Sequence, residues 1–146
     1  MFLHDASNMG RTTTLRQNAG AAGACIREET IAARPLQEIV PLDDLLRAKI
    51  IKIDVEGAEW PVLRGLEPML SRLRPDVSIV VEVAGNALAS YGVSIPEFLA
   101  FFAARGYRGE RLAFRSPALC ISGAASPVLP VETDFEMADL VFRRGP

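Results

Sequence analysis

Only two cysteines, one histidine and two lysines occur among the 146 residues, and each scarcity removes a class of mechanism. Cys25 and Cys120 stand too far apart to form a zinc site by spacing, and the expectation for them is two small buried or half-buried thiols. His4, the sole imidazole, leaves no histidine pair or multi-histidine metal centre within one chain and is expected at the surface. No apolar run reaches the roughly 20 residues that span a bilayer. A formal net charge of -2, from 16 basic and 18 acidic residues, gives no electrostatic reason to bind nucleic acid or an anionic membrane. With no secretory leader read ahead of the cysteines, the expected setting is cytoplasmic.

What is present is apolar material, 49% of the chain, enough for one domain with a core. Phe2 to Asp5 can form a short strand, Asn8-Met9-Gly10 is a turn signal, and residues 16–35 read as a surface connection. Leu36 to Val40 suits an extended segment, and Leu42 to Leu46 a helical turn after Pro41. Lys49 to Asp54 is nearly continuous in isoleucine, the pattern of a strand covered on both faces. The helix after it takes Pro61 in its first turn and an apolar stripe of Val62, Leu63 and Leu66, with Gly65 and Pro68 expected to bend or divide it.

Val77 to Val83 is a second β-branched run ending on an acid at Glu82. Ser94-Ile95-Pro96-Glu97 is a capping box, and Ile95, Phe98, Leu99 and Phe102 line one face of the helix it opens, as far as Gly106. Tyr107 to Phe114 and Ala138 to Arg143 read as two closing strands joined by a loop rich in Ser, Pro, Gly and Ala. The order strand, helix, strand, helix, strand, strand predicts the second half of a doubly wound, mostly parallel α/β sheet with an antiparallel end pair.

The chemistry concentrates in Asp54-Val55-Glu56-Gly57-Ala58-Glu59-Trp60. Ligands of open α/β sheets bind outside the carboxyl ends of the strands, which is where Asp54 and Glu82 fall. If the two strands are neighbours, about 4.8 Å apart, the two carboxylates can face one volume, and one has its pKa raised by the other. Such a pair can accept a proton from a hydroxyl, bind a divalent cation or hold sugar hydroxyls. Glu56 and Glu59 share a helix start as dipole-complementing caps or as the rim of a site, and Gly57 permits a sharp strand-to-helix turn. Lys52 is expected to pair with one of the acids, and Trp60 to pack, with sugar stacking as its alternative.

The stretch Lys52 to Glu59, with Leu42-Asp43-Asp44-Leu45 before it, Val62-Leu63-Arg64-Gly65 after it and the strand Pro75 to Glu82, resembles the FkbM-type methyltransferases over roughly residues 36–143. The resemblance implies a Rossmann-like class I fold, S-adenosylmethionine as methyl donor and a small-molecule hydroxyl as acceptor, on a sugar or secondary metabolite. It also implies Asp54 and Glu82 as catalytic residues, with Asp54 the first choice for assisting deprotonation of the hydroxyl, and Glu56, Gly57 and Glu59 as the substrate or cofactor rim. Against that pattern, the first strand with its glycine-rich loop and the second strand with its ribose-gripping acid have no counterpart; Gly20 to Gly23 is no substitute.

The expectation is therefore one partial domain over residues 1–146, irregular through 1–35 and family-like over 36–146. It would carry the acceptor side and leave a sheet edge open to self-association. Alternatives from the residues are a non-enzymatic binding or dimerisation remnant, and a magnesium site for phosphate or nucleotide-sugar chemistry built on Asp54, Glu56 and Glu82.

Overall fold

A computed structural model describes residues 2–3, 27–28, 30–113 and 128–145. His4, the Asn8 turn, Gly20 to Gly23, Cys25, Phe114 and Cys120 lie outside the described residues. Strand β1 (Phe2–Leu3) pairs antiparallel with β2 (Arg27–Glu28), so the expected N-terminal strand finds its partner inside the segment read as a connection.

The helices α1 (Leu36–Ile39) and α2 (Leu42–Arg47) precede β3 (Ile50–Ile53). Helix α3 (Glu59–Leu70), strand β4 (Ser78–Ala84), and helices α4 (Gly85–Ser90) and α5 (Ile95–Ala103) follow. Strands β5 (Tyr107–Leu112), β6 (Val128–Pro130) and β7 (Met137–Arg144) close the chain. The second sheet has five strands in the order β3-β4-β7-β5-β6, making the fold a mixed α/β one.

Several expectations need correction. Only β3 with β4 is parallel; β4 with β7, β7 with β5 and β5 with β6 are antiparallel, so the described sheet is not mostly parallel. The last strand enters between β4 and β5 and turns two would-be edges into interior pairings. Leu36 to Val40 is not extended: Pro35 fixes the entry to a helical turn, which Gln37 ties to the Gly65 carbonyl at 3.1 Å. Helix α3 is one continuous element with Pro68 inside it, not a divided one.

Strand β3 alternates exposed and buried rather than being covered on both faces. Ile51 and Ile53, with Ile79, Val81 and Val83 of β4 and Leu140 and Phe142 of β7, enter the core, where Leu63, Leu66 and Leu70 of α3 and Phe98 and Phe102 of α5 meet them. Lys52, Asp139 and Arg143 point the other way and are exposed, while Ser78, Val80 and Glu82 are half-buried. Arg143 ties three strands together on that second face, donating to Ser78 Oγ and to Glu110 Oε2, each at 3.0 Å.

The aromatic core is as the phenylalanine spacing predicts. Phe102 stacks on Phe142 at 3.7 Å between centroids, and Trp60 packs edge-on against Phe101 at 5.2 Å, which gives Trp60 the packing role. The capping box forms: Ser94 N–H donates to Glu97 Oε2 at 2.8 Å, and Glu97 N–H to Ser94 Oγ at 3.4 Å. The end of α3 is sealed by Tyr107, whose hydroxyl donates to the Leu70 carbonyl at 2.8 Å, and by Arg144, which donates to the same oxygen.

Candidate functional site

The loop from β3 into α3 is shaped by backbone angles that few residues accept. Glu56 has φ 52° and Gly57 φ 106°, so two successive residues are left-handed and the chain reverses within one turn. Such a turn directs backbone amides inward, and they need an acceptor. Glu59 supplies it. Its carboxylate, buried at 5% exposure, accepts from Val55 N–H and from Gly57 N–H, each at 3.1 Å. The side chain expected on the rim is thus turned inward to brace the loop, while Gly57 is itself buried.

Asp54 leaves the end of β3 on the exposed side and pairs with Lys52 at 2.8 Å, as the sequence pattern anticipates for that lysine. The hydrogen bond that the ammonium of Lys52 donates to Asp54, and then the charge of Asp54, hold Lys52 above its ordinary pKa. The parallel register sets Ile53 beside Val81, which brings Asp54 alongside Glu82.

Glu82 lies within β4 rather than past its end, because the strand runs on to Ala84. Across from it on β7 is Asp139, directly paired in the antiparallel register. Asp54, Glu82 and Asp139 therefore form a row on the second face of the sheet, one from each of three adjacent strands. Partial burial raises the Glu82 pKa above the usual carboxylate value, and the negative charges of Asp54, Glu56, Asp139 and Glu59 push it in the same direction.

A hollow of ≈ 470 Å³ opens at this end of the sheet, lined by Glu82, Asp139, Arg111, Leu112, Leu129 and Met137 among others. Asp54 does not line it, so the two residues expected to act together are adjacent but unequally placed. The hollow combines a half-buried carboxylate with apolar walls, a composition that can hold a small organic molecule while a proton is moved at one of its oxygens.

Asp139 and Arg111 were not singled out by sequence reasoning. Asp139 carried a readable signal, an acid in a strand otherwise built of Ala138, Leu140, Val141 and Phe142. Arg111, held with its guanidinium 5.8 Å from the Phe135 ring, carried none, because only the return of β7 beside β5 brings this end of the sheet together. Among the described residues no three His, Cys, Asp or Glu side chains are grouped so as to hold a metal ion, which weighs against the magnesium alternative. No described helix is long and apolar enough to cross a membrane.

A family model described as Methyltransferase FkbM domain matches residues 4–108. The match begins well ahead of Leu36 and stops within β5, leaving β6 and β7 outside it. No curated protein and no solved structure matches the chain.

Proposed function

Because the chain belongs to the FkbM methyltransferase family, we propose that it forms the acceptor side of a methyltransferase that methylates a hydroxyl group on a sugar or secondary metabolite. The observation that carries the reading is the placement of Glu82. It is a half-buried acid with an upward-shifted pKa in the wall of a hollow at the sheet end, beside the carboxylate that terminates the neighbouring parallel strand. The β3-α3-β4 unit with its parallel pairing supports a Rossmann-like class I arrangement, of which the described sheet is the second half.

The family implies S-adenosylmethionine as the methyl donor. The described residues do not fit it as a complete binding site, since β3 has no described strand on its outer side and no glycine-rich strand-to-helix loop is among them. No step is therefore routed through the donor.

The chain's own contribution is positioning and proton management. In this reading Glu82 accepts a hydrogen bond from the acceptor hydroxyl and takes its proton as the oxygen becomes nucleophilic. Burial and the surrounding acids raise its proton affinity, which suits a base better than an ordinary surface carboxylate. Asp54 adds negative charge next to it and anchors Lys52, while Glu59 holds the intervening loop in shape.

The test is transfer of labelled methyl from S-adenosylmethionine to a panel of sugar and secondary-metabolite hydroxyls, with Glu82→Gln and Asp54→Asn beside the unaltered chain. Loss of about 100-fold or more in Glu82→Gln is expected for a general base. Full rates in both variants would overturn the assignment.

A further inference from the structure

Met137, the first residue of β7, is 60% exposed and borders two hollows rather than one. On one side is the hollow of ≈ 470 Å³ that holds Glu82. On the other is a second hollow of ≈ 500 Å³, lined by Ala84, Gly85, Asn86 and Glu136 together with Met137 itself.

The strand register fixes how the two lie. Met137 is paired with Ala84 and Asp139 with Glu82, so these four residues share the second face of the sheet. Glu82 and Ala84 stand two residues apart along β4, about 7 Å. Both hollows open where β4 reaches its carboxyl end, the place at which open α/β sheets bind their ligands. Each alone falls in the lower part of the range of about 300 to 1,000 Å³ usual for small-molecule sites, and the pair reaches its upper part.

The second hollow carries groups that suit hydroxyls. Asn86 Oδ1 accepts from Ala87 N–H at 2.8 Å, which orients the carboxamide and leaves its NH2 to donate. The Glu136 carboxylate only accepts, and both side chains are exposed. A sugar hydroxyl donates and accepts at once and so can use both. The backbone behind them is fixed, since Gly85 N–H donates to the Glu136 carbonyl at 2.9 Å and ties one wall to the other. Between the hollows, the unbranched thioether of Met137 can follow the apolar face of a ring.

We propose that the acceptor is a glycoside of at least two units. The unit to be methylated sits over Glu82, the link crosses Met137, and the next sugar is held by Asn86 and Glu136. The inference rests on the acceptor reading given above, because it takes the Glu82 hollow as the seat of the reacting hydroxyl. It adds a subsite that selects for length.

Saturation-transfer NMR of the full chain with a set of methyl hexosides and the matching methyl dihexosides tests it. The dihexosides are expected to bind about tenfold or more tightly than the hexosides, a difference of about 1.4 kcal/mol. Asn86→Ala and Glu136→Ala are each expected to cut that preference about three- to tenfold. Glu82→Gln, altered in the first hollow, is expected to change the affinity for both kinds of probe and to keep the preference. Circular-dichroism melting confirms that each variant is folded. Equal affinity for one and two units, undetectable binding of both, or a preference indifferent to Asn86→Ala and Glu136→Ala overturns the proposal. Labelled-methyl transfer to the same probes separates it from the reading beneath it. A two-unit preference with no transfer to any sugar keeps the subsite and strikes the methyltransferase reading, whereas transfer to hexosides and dihexosides at one KM strikes the subsite alone.

Discussion

At the residue scale, the direction of one pKa shift fixes how stability depends on pH. Glu82 is held above the ordinary carboxylate value of 4.5 by burial first and then by Asp54, Glu56, Asp139 and Glu59. Between 4.5 and its raised folded value the native state binds more protons than the unfolded chain, so this residue's contribution to stability falls as pH rises through that window. Glu82→Gln is therefore expected to melt higher than the unaltered chain at pH 7, and to lose that advantage as the pH drops toward 4.5. Thermal scans at a series of pH values check it; a variant less stable at pH 7 would show that the carboxylate is better solvated than its position implies.

Glu59 acts through hydrogen bonds to the backbone. Its buried carboxylate is the acceptor for the amides of Val55 and Gly57, so Glu59→Ala leaves both donors without it and is expected to cost about 2 to 4 kcal/mol. Glu59→Gln keeps one acceptor oxygen and is expected to cost about half as much. Urea denaturation of the pair distinguishes a loop held by Glu59 from one that holds itself, for which both variants would lie within about 0.5 kcal/mol of the parent.

At the scale of elements, a contact across two strands controls what a glycine can become. A Cβ placed on Gly109 of β5 would lie 2.8 Å from Phe142 Cε1 on β7. That ring is stacked on Phe102, with 8° between the planes, and cannot swing away without opening the core. Gly109→Ala is thus expected to destabilise the chain by about 1 to 3 kcal/mol, measured by the same denaturation.

This contact also shows where the sequence is legible and where it is not. Local chemistry is readable: the Ser94 to Glu97 box, the Phe98 and Phe102 face, the β-branched strands and the Lys52 pairing all follow from neighbours within a few residues. Leu36 to Val40 misleads, because a proline before an apolar run suits an extended segment equally well. The tie from Gln37 to Gly65, 28 residues away, favours the helical turn. Asp54 and Glu82 are legible as acids beside each other because a parallel register follows from a single crossover. Asp139 joins them only through the return of β7, a long-range event that no periodicity records.

At the scale of the whole molecule, the centre of the sheet and the centre of the family match do not coincide. The match ends at residue 108, yet β7 lies between β4 and β5. It pairs with β4 from Ser78↔Arg143 to Ala84↔Met137, and with β5 from Tyr107↔Arg144 to Arg111↔Leu140. Leu140 and Phe142 are fully buried, and Phe142 is the ring on which Phe102 stacks.

A chain ending at residue 108 would lose these side chains and the hydrogen-bonding partner of β4 on one side. Burying a leucine or phenylalanine is worth about 1.5 to 3 kcal/mol each, and whole domains are stable by only about 5 to 15 kcal/mol. The shortened chain is therefore expected to show no cooperative thermal transition, whereas the full chain melts in one. A sharp transition in the chain cut at 108 would mean that β3, β4 and their helices form a stable unit alone, and that the antiparallel strands are an addition to it rather than its middle.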